Sequence, residues 1–198
     1  MVFILPNCSL NILNISCVSI NLTLGCMFSG KTSALLNVAK LNKLIGKNVL
    51  LINFNQDSRY SSSDKITTHD KVSIDCKTCG EDLMDVFKNY NQEYMDSQVI
   101  CINEGQFFRN LVSFCLMACN QNKEIHVCGL DGDFQMRKFG QILDVIPMAD
   151  EVVKKQALCA ICRNGKKASF TKRLTNESSQ KLIGNSNYIP VCRECHKN

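Results

Sequence analysis

Residues Gly25-Cys26-Met27-Phe28-Ser29-Gly30-Lys31-Thr32 satisfy the pattern G-x-x-x-x-G-K-[ST]. In such a segment the glycines let the backbone curl until successive N–H groups face a polyphosphate. A helix opening directly behind it adds the positive end of its dipole. Lys31 is then placed to reach the β- and γ-phosphates, and the Thr32 hydroxyl to ligate Mg²⁺. The expected chemistry is nucleotide binding with a divalent cation.

A phosphate loop of this kind works with a further acid near the metal, at the end of a neighbouring apolar strand. Val99-Ile100-Cys101-Ile102 reads as that strand, and Asn103-Glu104 closes it. The first acid position is an amide, which can hold a metal-bound water through its carbonyl oxygen but lacks the charge. Glu104 is the candidate general base, able to take a proton from an attacking hydroxyl. Asp57, just past the strand ending near Phe54, is a second carboxylate that could face the metal.

Cys159-x-x-Cys162 and Cys192-x-x-Cys195 enclose 29 residues. Two such knuckles present four thiolates to one tetrahedral Zn²⁺. A redox pair is disfavoured, because neither CxxC follows a strand and opens a helix. Disulfides are disfavoured by the count of 13 cysteines, an odd number, many of them inside apolar runs. Cys76-x-x-Cys79 is a third CxxC with no evident partner knuckle.

These residues need a scaffold. Val18–Leu24, Asn48–Phe54, Lys71–Asp75, Gln98–Ile102 and Glu124–Leu130 read as strands. Lys31–Ile45, Glu81–Tyr94 and Phe107–Cys119 carry helical spacing, and Asp57–Asp70 reads as a long polar loop. Alternation of strand and helix predicts an α/β fold with a mainly parallel sheet. From about Val152 the pattern changes to CxxC, basic loop, CxxC. The expected organisation is an N-terminal arm (1–16), a phosphate-loop domain (17–151) and a zinc-binding module (152–198). The chain has 198 residues and a net charge of +5. Ten basic residues against three acidic ones fall in 151–198, and the remainder is slightly acidic. No apolar run reaches membrane-spanning length, and Met1–Leu5 lacks a basic flank or cleavage site, which argues against a signal peptide.

Taken in order, GCMFSGKT (25–32), DSRYSSS (57–63) with THD (68–70), INEGQFF (102–108), LDGDFQMRKFG (130–140), ASFTKRL (168–174) and YIPVCREC (188–195) resemble the cytosolic, type II thymidine kinases. The resemblance covers roughly residues 17–196. It implies a RecA-like P-loop fold carrying a zinc-ribbon and lasso module. The implied reaction moves the ATP γ-phosphate to the 5′-hydroxyl of thymidine, and of deoxyuridine, in cytoplasmic nucleotide salvage.

By that resemblance Glu104 stands at the general base, with Lys31 and Arg59 in the catalytic set. Asp57, Ser58 and Arg59 fall on the nucleotide and magnesium side, with Asn103 and Gln106 beside them. Thr32 and Asp57 are the implied magnesium residues. Met27, Phe107, Leu130, Phe134, Thr171 and Tyr188 line the implied nucleoside pocket. Gln180, Lys181, Leu182, Ile183 and Gly184 match a lasso loop that grips the base largely through main-chain groups. The zinc would anchor that lasso at both ends. A homotetramer and inhibition by dTTP are further implications, with neither nucleic acid nor membrane as partner. The chain departs from the family in having Asn103 for Asp and Cys26 for Pro.

Two other readings fit some of these features. A nucleic-acid-associated P-loop ATPase would use the basic C-terminal module to bind DNA or RNA. A low-activity nucleotide-binding relative would follow from the missing charge at Asn103.

Overall fold

The computed structural model describes residues 18–54, 65–67, 73–181 and 187–197. A parallel sheet of six strands runs in the order β5-β2-β6-β7-β1-β8. The strands are β1 (Ile20–Gly25), β2 (Val49–Phe54), β5 (Lys77–Cys79), β6 (Val99–Ile102), β7 (Glu124–Gly129) and β8 (Glu151–Lys155). Every neighbouring pair in it is parallel. Such a sheet is covered on both faces, so its inner strands are continuous apolar runs. All four residues of β6 are buried.

Helix α1 (Lys31–Leu44) covers one face. Its buried residues Lys31, Leu35, Leu36 and Ala39 recur at helical spacing, and the three apolar ones pack with Leu51, Val99, Cys101 and Cys128. Gly46, at φ +82°, ends the helix in the left-handed region that favours glycine. On the other face, helix α4 (Leu111–Asn120) brings Leu111, Phe114, Cys115 and Ala118 against Ile20, Leu22, Ile100, Ile125 and Val127. A 3-10 segment, Ile142–Met148, adds Ile142 and Val145 to that core.

The five expected strands lie within a residue or two of their places, and four of them end on the same side of the sheet as the phosphate loop. Three expectations are corrected. The helix anticipated over 81–94 is two short helices, α2 (Asp85–Asn89) and α3 (Asn91–Asp96). Tyr90 between them is non-helical, at φ −139°, and its hydroxyl donates to the Thr78 carbonyl at 2.9 Å. The helix anticipated from Phe107 starts at Leu111, because Glu104 and Asn110 adopt left-handed φ on either side of a 3-10 turn, Gly105–Phe107. The polar stretch 57–70 contains a strand, β3 (Lys65–Thr67), paired antiparallel with β4 (Ser73–Asp75).

Beyond the sheet, β9 (Ala157–Leu158) pairs with β10 (Lys167–Ala168), and β11 (Phe170–Arg173) with β12 (Tyr188–Val191). Helix α5 (Arg193–Lys197) follows, so Cys192-x-x-Cys195 does stand between a strand and a helix. This corrects the expectation that neither CxxC has that context. However, α5 is a single short turn, and the two sulfurs sit with those of Cys159 and Cys162. The anticipated start of this module near Val152 falls inside β8, which still belongs to the main sheet.

Candidate active site

The phosphate loop leaves β1 at Gly25 and enters α1 at Lys31. A Cβ on Gly25 would stand 2.4 Å from the Lys155 carbonyl oxygen, so only glycine fits against β8 here. Phe28 and Gly30 adopt φ of +62° and +78°, which turns the peptide N–H groups inward. Lys31 is 7% exposed and its Nζ donates to the Cys26 carbonyl at 2.7 Å, across the loop it serves. The Ser29 hydroxyl is buried with no protein partner. A buried donor left over inside a glycine-lined loop suits a phosphate oxygen, so these residues fit a nucleoside triphosphate.

Thr32 Oγ1 donates to Asn103 Oδ1 at 3.3 Å. That oxygen also accepts from Cys128 Sγ at 3.1 Å, while Asn103 Nδ2 donates to Asn53 Oδ1 at 2.9 Å. The amide is thus oriented with its oxygen toward the loop. Two adjacent hard oxygens, one hydroxyl and one carbonyl, match the donors that Mg²⁺ takes alongside water and phosphate.

Glu104 follows β6 and sits in a left-handed conformation, φ +57°. Its Oε2 accepts from Gln106 Nε2 at 2.7 Å, and Gln106 Oε1 accepts from the Leu130 N–H at 2.9 Å. Gln106, anticipated on the nucleotide side, is buried and braces Glu104. Phe107 stacks on Phe54 with centroids 4.7 Å apart and meets Phe139 edge-on at 5.3 Å.

Loop and C-terminal module are directly tied. The Met27 N–H donates to Thr171 Oγ1 at 3.0 Å, and Cys26 Sγ to the Ala168 carbonyl at 3.3 Å. Asp133, its side chain wholly buried, accepts from the N–H groups of Gln135 and Arg137 at 2.9 Å each. The same carboxylate accepts from Gln180 Nε2 at 2.8 Å and Arg137 Nε at 3.2 Å. Burial pushes this carboxyl up, but those donors outweigh it and hold it below the usual carboxylate range. Gln180 and Lys181, expected to act mainly through their backbone, also use their side chains. Lys181 Nζ pairs with Glu81 at 2.8 Å. Asp57, Ser58, Arg59, Leu182, Ile183 and Gly184 lie outside the described residues.

The ligand sulfurs of Cys159, Cys162, Cys192 and Cys195 all lie within 4.8 Å of one another. The Cys162–Cys195 and Cys162–Cys192 separations are 3.3 and 3.7 Å. A tetrahedral Zn²⁺ with Zn–S of ~2.3 Å sets its sulfurs about 3.8 Å apart. The donor set fits zinc. Backbone N–H groups, that of Cys162 first, pull the Cys159 thiol down to about 6, whereas crowding by the neighbouring sulfurs, that of Cys162 first, pushes the Cys195 thiol up to about 12. A metal would have to displace that proton. Cys76 and Cys79 are separated by the sheet, packing into cores on opposite faces.

A glycine-rich phosphate loop at the carboxyl ends of a parallel sheet, with Asn103-Glu104 just past β6, two strands away across β7, defines a P-loop nucleotide-binding protein. The family model described as thymidine kinase matches residues 18–196. A thymidine kinase of Oryza sativa subsp. japonica is 41% identical over 178 residues, covering 88% of this chain and 65% of its own. A thymidine kinase of Myxoma virus (strain Uriarra) is 38% identical, with 89% and 95% covered. The cytosolic thymidine kinase of Homo sapiens is 37% identical, with 89% and 72% covered. The chain belongs to the thymidine kinase family.

Proposed function

We propose that this protein transfers the ATP γ-phosphoryl group to the 5′-hydroxyl of thymidine, and of deoxyuridine. The observation that carries the reading is the placement of Glu104 at the end of β6, held by Gln106, beside a complete phosphate loop. Glu104 takes the proton as the 5′-oxygen forms its bond to the γ-phosphorus. The bond from that phosphorus to the bridging oxygen breaks, and ADP leaves with the electron pair. Lys31, the loop N–H groups and Arg59 hold the phosphates. Thr32, Asn103 and Asp57 would hold Mg²⁺, which would supply charge neutralisation for the phosphates. Most of the rate enhancement then comes from positioning and electrostatics.

Met27, Phe107, Leu130, Phe134, Thr171 and Tyr188 form the nucleoside pocket, and the resemblance assigns residues 180–184 the role of gripping the base. Cys159, Cys162, Cys192 and Cys195 would hold a structural Zn²⁺, which would fix the chain on either side of that segment. Location in the cytosol accords with the similarity to the cytosolic thymidine kinase of Homo sapiens. Among the described residues no helix is long and apolar enough to cross a membrane. We further infer a homotetramer inhibited by dTTP. The open edge of β8 and the exposed Leu41, Leu44 and Ile45 at the end of α1 offer surface for assembly.

Incubation with γ-labelled ATP and thymidine tests the reading: labelled dTMP is expected without nucleic acid. Release of label that needs DNA or RNA, with no dTMP, would favour the ATPase alternative.

A further inference from the structure

Arg173 closes β11 and is only 8% exposed. Its guanidinium meets two kinds of partner at once. Against its plane lies the ring of Phe134, with the guanidinium carbon 3.7 Å from the ring centroid, and that of Tyr188 at 5.2 Å. At its edge, Nη1 donates to the carbonyls of Glu177 and Ser179 at 2.7 and 2.5 Å. Nη2 donates to the Gln180 carbonyl at 3.2 Å and to the Tyr188 hydroxyl at 2.6 Å.

Only a planar fork can cover a ring face while reaching three carbonyls and a hydroxyl in its own plane. A lysine ammonium has three donors and no plane to stack. Residues 174–180 form no helix or strand, so their carbonyls have no ladder to satisfy them. Arg173 supplies the donors that a sheet or helix would otherwise provide. The Arg173 Nε is buried with no protein partner, but the surrounding contacts continue. Gln180 reaches across to Asp133, next to Phe134, and the Phe134 carbonyl contacts His196 Nε2 at 2.9 Å.

We propose that Arg173 is the positioning residue of the nucleoside subsite, fixing the plane of Phe134 and the course of residues 177–180 together. This rests on the thymidine reading above. The phosphate side of the site is built on different residues and is expected to be indifferent to it.

Arg173→Lys keeps the charge and removes the fork, while Tyr188→Phe removes one hydroxyl and keeps the ring. Initial rates are measured with each substrate varied in turn. KM for thymidine is expected to rise about tenfold or more in Arg173→Lys, and a few-fold in Tyr188→Phe. KM for ATP and zinc content should stay near wild type in both. An unchanged thymidine KM in a folded Arg173→Lys overturns the proposal, as does a parallel rise in both KM values. Should Arg173→Lys fail to fold, an unchanged thymidine KM in Tyr188→Phe overturns it instead. A wild-type protein that makes no dTMP defeats the thymidine reading itself, which is a different result from an active wild type with insensitive variants.

Discussion

Gln106 Nε2 donates to Glu104 Oε2 at 2.7 Å, from an amide whose other end accepts the Leu130 N–H. Glycines leave room for both the side chain and the backbone of Gln106. A Cβ at Gly129 would stand 2.3 Å from Gln106 Oε1, and one at Gly140 would stand 2.0 Å from the Gln106 carbonyl oxygen. Gly140 also sits at φ +60°, where glycine is favoured. Gln106, which holds Glu104, is thus placed by the Leu130 N–H and by room left at Gly129 and Gly140.

Replacing Gln106 with Leu removes that brace at similar volume. We expect kcat to fall about tenfold or more, since a misplaced base loses positioning. The unpaired Leu130 N–H should cost about 1–3 kcal/mol of stability. Saturating steady-state rates and a denaturant titration check both numbers. An unchanged kcat would remove Gln106 from the account of the base.

Zinc should hold the lid side of the site rather than the phosphate loop itself. Cys159→Ser is expected to lose the metal, measured as zinc per chain, and with it most thymidine binding. Full zinc occupancy in that variant would show that Cys159 is not a ligand.

Asp133 gives a pH signature. Its carboxyl is held below the usual range, so its stabilising contribution is complete above the unfolded value of ~3.9. That contribution is lost as pH falls through the lower folded value. Asp133→Asn should therefore be less stable at neutral pH and show a flatter decline below about pH 4. Parallel acid-denaturation curves for the two proteins would contradict this.

Local spacing carried much of the site. The phosphate loop, the paired CxxC knuckles and the glutamate at a strand end are each visible because their partners lie a few residues apart. The brace from Gln106 and the stacking of Arg173 on Phe134 join distant segments, and no periodicity marks them. Cys76-x-x-Cys79 shows the opposite failure. Its spacing mimics a knuckle, yet the two side chains enter separate cores. Strand β8 is hard to read from sequence because, among the described residues, it pairs with β1 alone at the sheet edge, where four of its five residues are exposed and its charges read as the basic module. The break at Tyr90 depends on its hydroxyl reaching Thr78, a tertiary contact that overrides helical spacing.

The central claim is that Glu104 removes the proton from the thymidine hydroxyl. Its most direct test is single-turnover formation of dTMP by wild type and Glu104→Gln, each preloaded with ATP, Mg²⁺ and zinc. Glu104→Gln keeps the shape and can still meet Gln106, so substrate binding should persist while the chemical step slows by about 10²–10⁴-fold. A wild-type rate in Glu104→Gln would contradict the assignment.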